Sequence, residues 1–190
     1  MELFLLNKKD KGFTLIELLI VIAILAVLAV AVVVVLNPAE LLKQARDSNR
    51  ISDLASIDKA LNLYFYDVAP TSFTATTTCT VGTSFPGLGV STCAANSSAS
   101  TTGSGWVPVD LEDISSGSPL PRLPVDPVNN SDNYYAIKIS STVGKFEINA
   151  NMESTKYSNG GSSDAESTDG GNMSTWYEVG TNINQTWTNP

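Results

Sequence analysis

"KGFTLIELLIVIAILAVLAVAVVVVL", residues 11–36, decides the fold. Residues 18–36 are nineteen in a row with no polar side chain, about 28 Å long as a helix at roughly 1.5 Å per residue. That nearly spans a hydrocarbon core of about 30 Å. A cleaved secretory signal has a shorter apolar region, about 7–15 residues, and then small residues at its cleavage site. Residues 32–36 are bulky instead. Lys8, Lys9 and Lys11 precede the run, which predicts a cytoplasmic N-terminal side and an outward-facing remainder. Glu17 is the anomaly. An acidic side chain inside a membrane helix costs about 2.5–3.5 kcal/mol, so it has a partner, a function, or a shallow position from which it snorkels to water.

Composition narrows the function classes. The 190 residues leave room for one modest domain beyond an anchor. There is no histidine, so His-based catalysis and His-ligated metals are excluded. A formal charge of −8 gives no counterion release on nucleic acid, which argues against an electrostatic DNA binder. No glycine-rich phosphate cradle is present, and neither Cys79 nor Cys93 has a basic partner in a recognisable motif, so the chain is not expected to be an enzyme. No cofactor is implied.

Gly12, Phe13, Thr14, Leu15, Ile16 and Glu17, after lysines and before a long aliphatic run, resemble the class III signal of type IV pilins and type II secretion pseudopilins. The resemblance covers about residues 8–36. It implies that a membrane-embedded prepilin peptidase cuts between Gly12 and Phe13, removes the basic leader 1–12, and methylates the new amino group on Phe13. A glycine before the cut suits close backbone approach by a protease. Glu17 then becomes the fifth residue of the mature chain. The resemblance also implies that the amine of Phe13 in one subunit pairs with Glu17 of its neighbour. A buried carboxylate is costly alone and much less so when paired, so the charge would set the register between helices. Two departures stand out. Many members have a glycine and a proline inside the helix, where this chain has Ala26 and Val34. The β-branched residues 32–35 are weak helix formers and are the expected place for loosening in a filament.

Asn37, Pro38 and Glu40 read as a fresh helix start, with Asn as cap, Pro at the first helical position and Glu completing a capping box. Ile51, Leu54, Ile57, Leu61, Tyr64 and Val68 recur at steps of three and four. That stripe predicts an amphipathic helix over 37–69 that ends near Val68, before Pro70. Arg46, Asp47, Arg50, Asp53 and Lys59 fall mostly off the stripe and are expected in solvent. Tyr64, Phe65 and Tyr66 are expected in the core.

Residues 70–190 form the expected head. Its segment 71–105 holds seventeen Ser or Thr among thirty-five residues and reads as a surface excursion without strands. Two cysteines in an exported Ser/Thr-rich region point to a Cys79–Cys93 disulfide rather than a metal site. Residues 134–139, 145–151 and 176–179 read as strands, 106–111 as a shorter one, and "PLPRLPVDP" at 119–127 cannot be a central strand. In the loop 153–172, Asp164, Glu166 and Asp169 sit among glycines. Calcium is conceivable there, but the spacing is not that of an EF-hand, and a solvated loop without metal is the expectation.

The predicted fold is α+β and pilin-like: one long N-terminal helix, apolar in 13–36 and amphipathic in 37–69, packed on a small antiparallel sheet. The function implied is a prepilin that polymerises through its N-terminal helix into an extracellular type IV pilus-like filament. Two alternatives stand beside it: a pseudopilin of a type II secretion system, or a membrane-anchored extracellular binding protein that never polymerises. The partners implied are copies of itself, prepilin peptidase, an assembly ATPase, a platform membrane protein and the membrane, with no nucleic acid. Before assembly the chain would cross the cytoplasmic membrane once, with its C-terminal domain outside; afterwards it would lie on the cell surface.

Overall fold

The apolar run is helical in the computed structural model, which describes residues 12–82 and 93–182. The chain divides into two units, residues 1–39 and 40–190. In the first, helix α1 runs Leu15–Leu36, with no residue buried. It stays helical through the β-branched residues 32–35 and stops only at Asn37, whose φ of 41° is left-handed. Asn tolerates that conformation, and Pro38 cannot supply the next helical N–H. The expected capping box at 37–40 is therefore corrected. Asn37 closes α1 rather than adopting an extended N-cap, and the Glu40 carboxylate accepts from Thr155 N at 2.7 Å and Thr155 Oγ1 at 2.8 Å.

Helix α2 spans Pro38–Asp67. In the second unit it packs against a sheet of β1 (Thr76–Cys79), β2 (Ala94–Ala95), β3 (Tyr135–Ile139), β4 (Phe146–Ala150) and β5 (Tyr177–Gly180), ordered β2-β1-β3-β4-β5. Leu54, Ile57, Ala60, Leu61 and Tyr64 from α2 share one core with Tyr135, Ile137 and Ile139 from β3 and with Phe146, Ile148 and Ala150 from β4. The step-three-and-four stripe meets the period-two face, as a two-layer α+β fold requires. Phe65 stacks on Phe146 at 6.0 Å between ring centres, whereas Tyr66 is 87% exposed and lies outside the core.

The sheet is mixed, not purely antiparallel, because β1 and β2 run parallel. Both lie in the Ser/Thr-rich segment expected to hold no strand. Threonine is β-branched and favours strands, but a run such as Thr76–Thr77–Thr78 shows no apolar alternation. Residues 106–111 form no strand; only an isolated bridge, Thr102 to Asp110, flanks a short 3-10 turn at Leu111–Asp113. Pro108 removes a ladder donor. Trp106 fills the core there instead, its Nε1 donating to Pro124 O at 2.8 Å.

Cys79 at the end of β1 is bonded to Cys93 beside β2, with Cα atoms 5.6 Å apart. The sulfurs pack among Tyr134, Ala136, Val81 and Trp176 on the sheet face away from α2. At a sequence separation of 14, reduction is expected to lower stability by about 3 kcal/mol, read as earlier melting of the detergent-solubilised chain in reductant. Melting unaltered by reductant would mean that the bond constrains nothing the fold does not already hold.

Candidate assembly and processing site

The sequence-predicted residues Gly12, Phe13 and Glu17 lie at and just before the N-terminal end of α1. Gly12 and Phe13 precede the helix and are exposed, Phe13 at 91%, and nothing lies within 4 Å of where a side chain on Gly12 would begin. Thr14 then caps the helix with φ −81° and ψ 153°. Its hydroxyl accepts from Glu17 N at 3.3 Å, and Glu17 Oε2 accepts from Thr14 N at 2.8 Å and from Thr14 Oγ1 at 2.7 Å. This is a complete capping box, which satisfies two of the amides that a helix start leaves orphaned.

The consequence for Glu17 is specific. Oε2 takes both Thr14 donors, and the carboxylate is held at the first turn, where the helix dipole favours a negative charge. The second oxygen, Oε1, takes no part in the box. A carboxylate fixed by one oxygen can still receive a cation on the other. Thr14 was not singled out as a cap by the sequence reading, although Thr-x-x-Glu is the pattern that names one. The box was assigned 23 residues too late, at Asn37, because Pro38 and Glu40 mimic the same signature.

A second cluster escaped the sequence altogether. Arg50 and Asp47, expected in solvent, are both fully buried. Arg50 grips Asp126 through Nε at 2.6 Å and Nη2 at 2.9 Å, reaches Asp47 at 2.7 Å through Nη1, and pairs with Glu153 at 2.6 Å. Arg46 holds the same Glu153 at 2.9 Å and 2.6 Å. Two cations thus meet three carboxylates, and backbone amides absorb the excess negative charge. Asp47 accepts from Glu153 N at 3.0 Å and Ser154 N at 2.8 Å, while Asp126 accepts from Val128 N at 2.8 Å. Burial alone would lower the Arg50 pKa, but Asp126, Glu153 and Asp47 outweigh it and raise it. The hydrogen bond from Arg46 holds the Glu153 carboxyl below its ordinary range, against a burial effect of opposite sign. The network ties α2 to the proline-rich segment and to the loop after β4.

That loop is organised by carboxylates that accept its backbone amides. Asp164 accepts from Gly160 N, Glu166 N and Ser167 N at 2.8–3.0 Å. Its pKa is lowered to about 2, chiefly by Ser167. Glu166, only 3% exposed, accepts from Met152 N and Asn159 N at 3.0 and 2.9 Å, and burial raises its pKa. Asp169 accepts from Gly171 N and Glu178 N at 2.8 and 2.6 Å. Amide hydrogens aimed at these oxygens repel a cation. Among the described residues, no grouping of three or more acidic or cysteine side chains could hold a metal ion.

A family model described as the prokaryotic N-terminal methylation motif matches residues 7–33. No curated protein and no solved structure shows significant similarity to the chain. The matched stretch begins in residues that lie outside the described structure and runs through Gly12, the capping box and most of α1. Among the described residues, one helix is long and apolar enough to cross a membrane, and it is the one this motif opens. The chain thus carries the class III signal of type IV pilin-like and pseudopilin precursors, joined to an α+β, pilin-like fold.

Proposed function

We propose that this chain is a prepilin whose mature form polymerises through α1 into an extracellular filament of the type IV pilus kind. The observation that carries the reading is a 22-residue helix with no buried residue, apolar throughout except for Glu17. A surface so apolar is stable only in lipid or against other copies of itself. One carboxylate at its cytoplasmic end supports self-assembly over simple anchoring, since the capping box uses only Oε2 and leaves Oε1 for a cation from a neighbouring subunit.

In this reading prepilin peptidase cuts between Gly12 and Phe13, and Phe13 is N-methylated. The retained helix holds the subunit in the cytoplasmic membrane with its head outside. An assembly ATPase and a platform membrane protein then drive subunits into the filament. The role is structural, with no catalysis assigned. A pilus subunit is preferred over a secretion pseudopilin because a disulfide and a hydroxyl-rich surface segment suit permanent display outside the cell. Mass spectrometry of the N-terminus of the protein recovered from membranes tests the proposal. The expected result is a chain starting at methylated Phe13. A chain retaining Gly12 and the residues before it would overturn the proposal.

A further inference from the structure

The face of the sheet turned away from α2 is as deeply buried as the core face, yet it carries charge. Lys138 on β3, Glu147 and Asn149 on β4, and Glu178 on β5 all point to this side, at 7%, 3%, 0% and 1% exposure. The register sets Glu147 opposite Lys138 on one side and Gly180 on the other, and Asn149 opposite Glu178. Glu147 Oε1 receives Asn149 Nδ2 at 3.0 Å. Glu178 Oε2 receives Met173 N at 2.7 Å, and Gly171 packs so closely that any side chain there would collide with the carboxylate. Two buried oxygens, Glu178 Oε1 and Asn149 Oδ1, are without a hydrogen-bond partner among the described residues.

Glu178, on the strand beside Glu147, has one oxygen, Oε1, that receives no donor. A proton supplies one. We propose that Glu178 holds a proton toward Glu147 across the β4–β5 seam, and that losing it as pH rises loosens β5 and the turn at Met173. The groups facing Glu178 set the balance. Glu147 and Asp169 are both acidic, Asp169 binding the amide of Glu178 itself at 2.6 Å. Lys138, the cation on this face, stands opposite Glu147, with β4 between it and Glu178. Burial first, then the charges of Glu147 and Asp169, push the Glu178 carboxyl up to about 7.

Because the folded pKa lies above the ordinary 4.5, the folded state holds a proton that the unfolded chain has released. This contribution to stability is complete below about pH 4.5 and is lost as pH rises through about 7. Thermal unfolding of the full chain in detergent, followed from about pH 5 to about pH 8, tests it. The folded-to-unfolded ratio is expected to fall up to about tenfold per pH unit between about pH 5 and about pH 7 and to level off above it. Glu178→Gln, which carries its own hydrogen on the side-chain nitrogen, is expected to remove that slope. Glu147→Gln provides a second reading, shifting the transition toward the ordinary carboxyl range. Amide exchange at Met173 and Glu178 is expected to rise with pH in the wild type beyond its intrinsic dependence. Parallel wild-type and Glu178→Gln slopes would overturn the proposal. So would a slope abolished by added Ca²⁺, which would assign the empty oxygens to a cation.

Discussion

Arg50→Ala is expected to leave the head barely able to fold. The side chain is fully buried, and its guanidinium satisfies three carboxylates that lie far apart in sequence. Removing it strands Asp126 and Asp47 in the interior with only backbone amides for company. Breaking a buried pair in this way costs about 3–5 kcal/mol, against a total stability of about 5–15 kcal/mol for a typical domain. The measured outcome would be loss of a cooperative melt, or rapid proteolysis, in the detergent-solubilised chain. Arg50→Lys is expected to rescue only part, since one ammonium cannot grip Asp126 with two parallel bonds. Arg46→Ala is the control. Its side chain is 31% exposed, and Glu153 keeps Arg50, so the loss is expected to be small beside that of Arg50→Ala. Arg50→Ala melting together with the wild type would show that the network is redundant with the apolar core.

The reason this network was unreadable in sequence also explains what was readable. Periodicity reports side chains that bury apolar surface, so Leu54, Ile57, Leu61 and Tyr64 announced the buried face of α2 at once. Arg50 sits beside that stripe with a charge and reads as solvated. Nothing local reveals that Asp126 and Glu153 arrive to meet it, because those contacts span 76 and 103 positions of chain. The same limit hid the carboxylates that organise the loop after β4. Glu40 was read as a local cap and binds Thr155 instead. Strands β3, β4 and β5 were legible from aromatic and β-branched alternation, within about a residue at their ends. Strand β1 was not, since four residues of Thr and Cys look the same on either face. At the N-terminal site the reading was mostly local, and Thr14 was missed only because a better-looking cap lay downstream.

Glu17→Ala and Glu17→Gln are expected to lose filaments alike while membrane insertion persists, and the pair together says why. Two roles compete for this carboxylate. As a cap it holds Thr14 N and Thr14 Oγ1 and so steadies the first turn. As a register charge, in the proposed filament, it meets the amine that cleavage frees on Phe13 of the adjoining subunit. Alanine removes both roles. Glutamine keeps a side-chain oxygen for Thr14 N, so the cap survives, but it offers the incoming amine no charge. If pairing is what assembly needs, each junction buries an uncompensated ammonium in the glutamine variant. A penalty of about 3–5 kcal/mol then lowers the subunit-addition equilibrium on the order of a hundredfold or more. Filament yield in sheared cell fractions, set beside subunit content of the membrane, reads the result directly. Normal filaments from Glu17→Gln and none from Glu17→Ala would reduce Glu17 to a helix cap. Loss in both, with the helix intact, leaves charge pairing as the only role the two variants share.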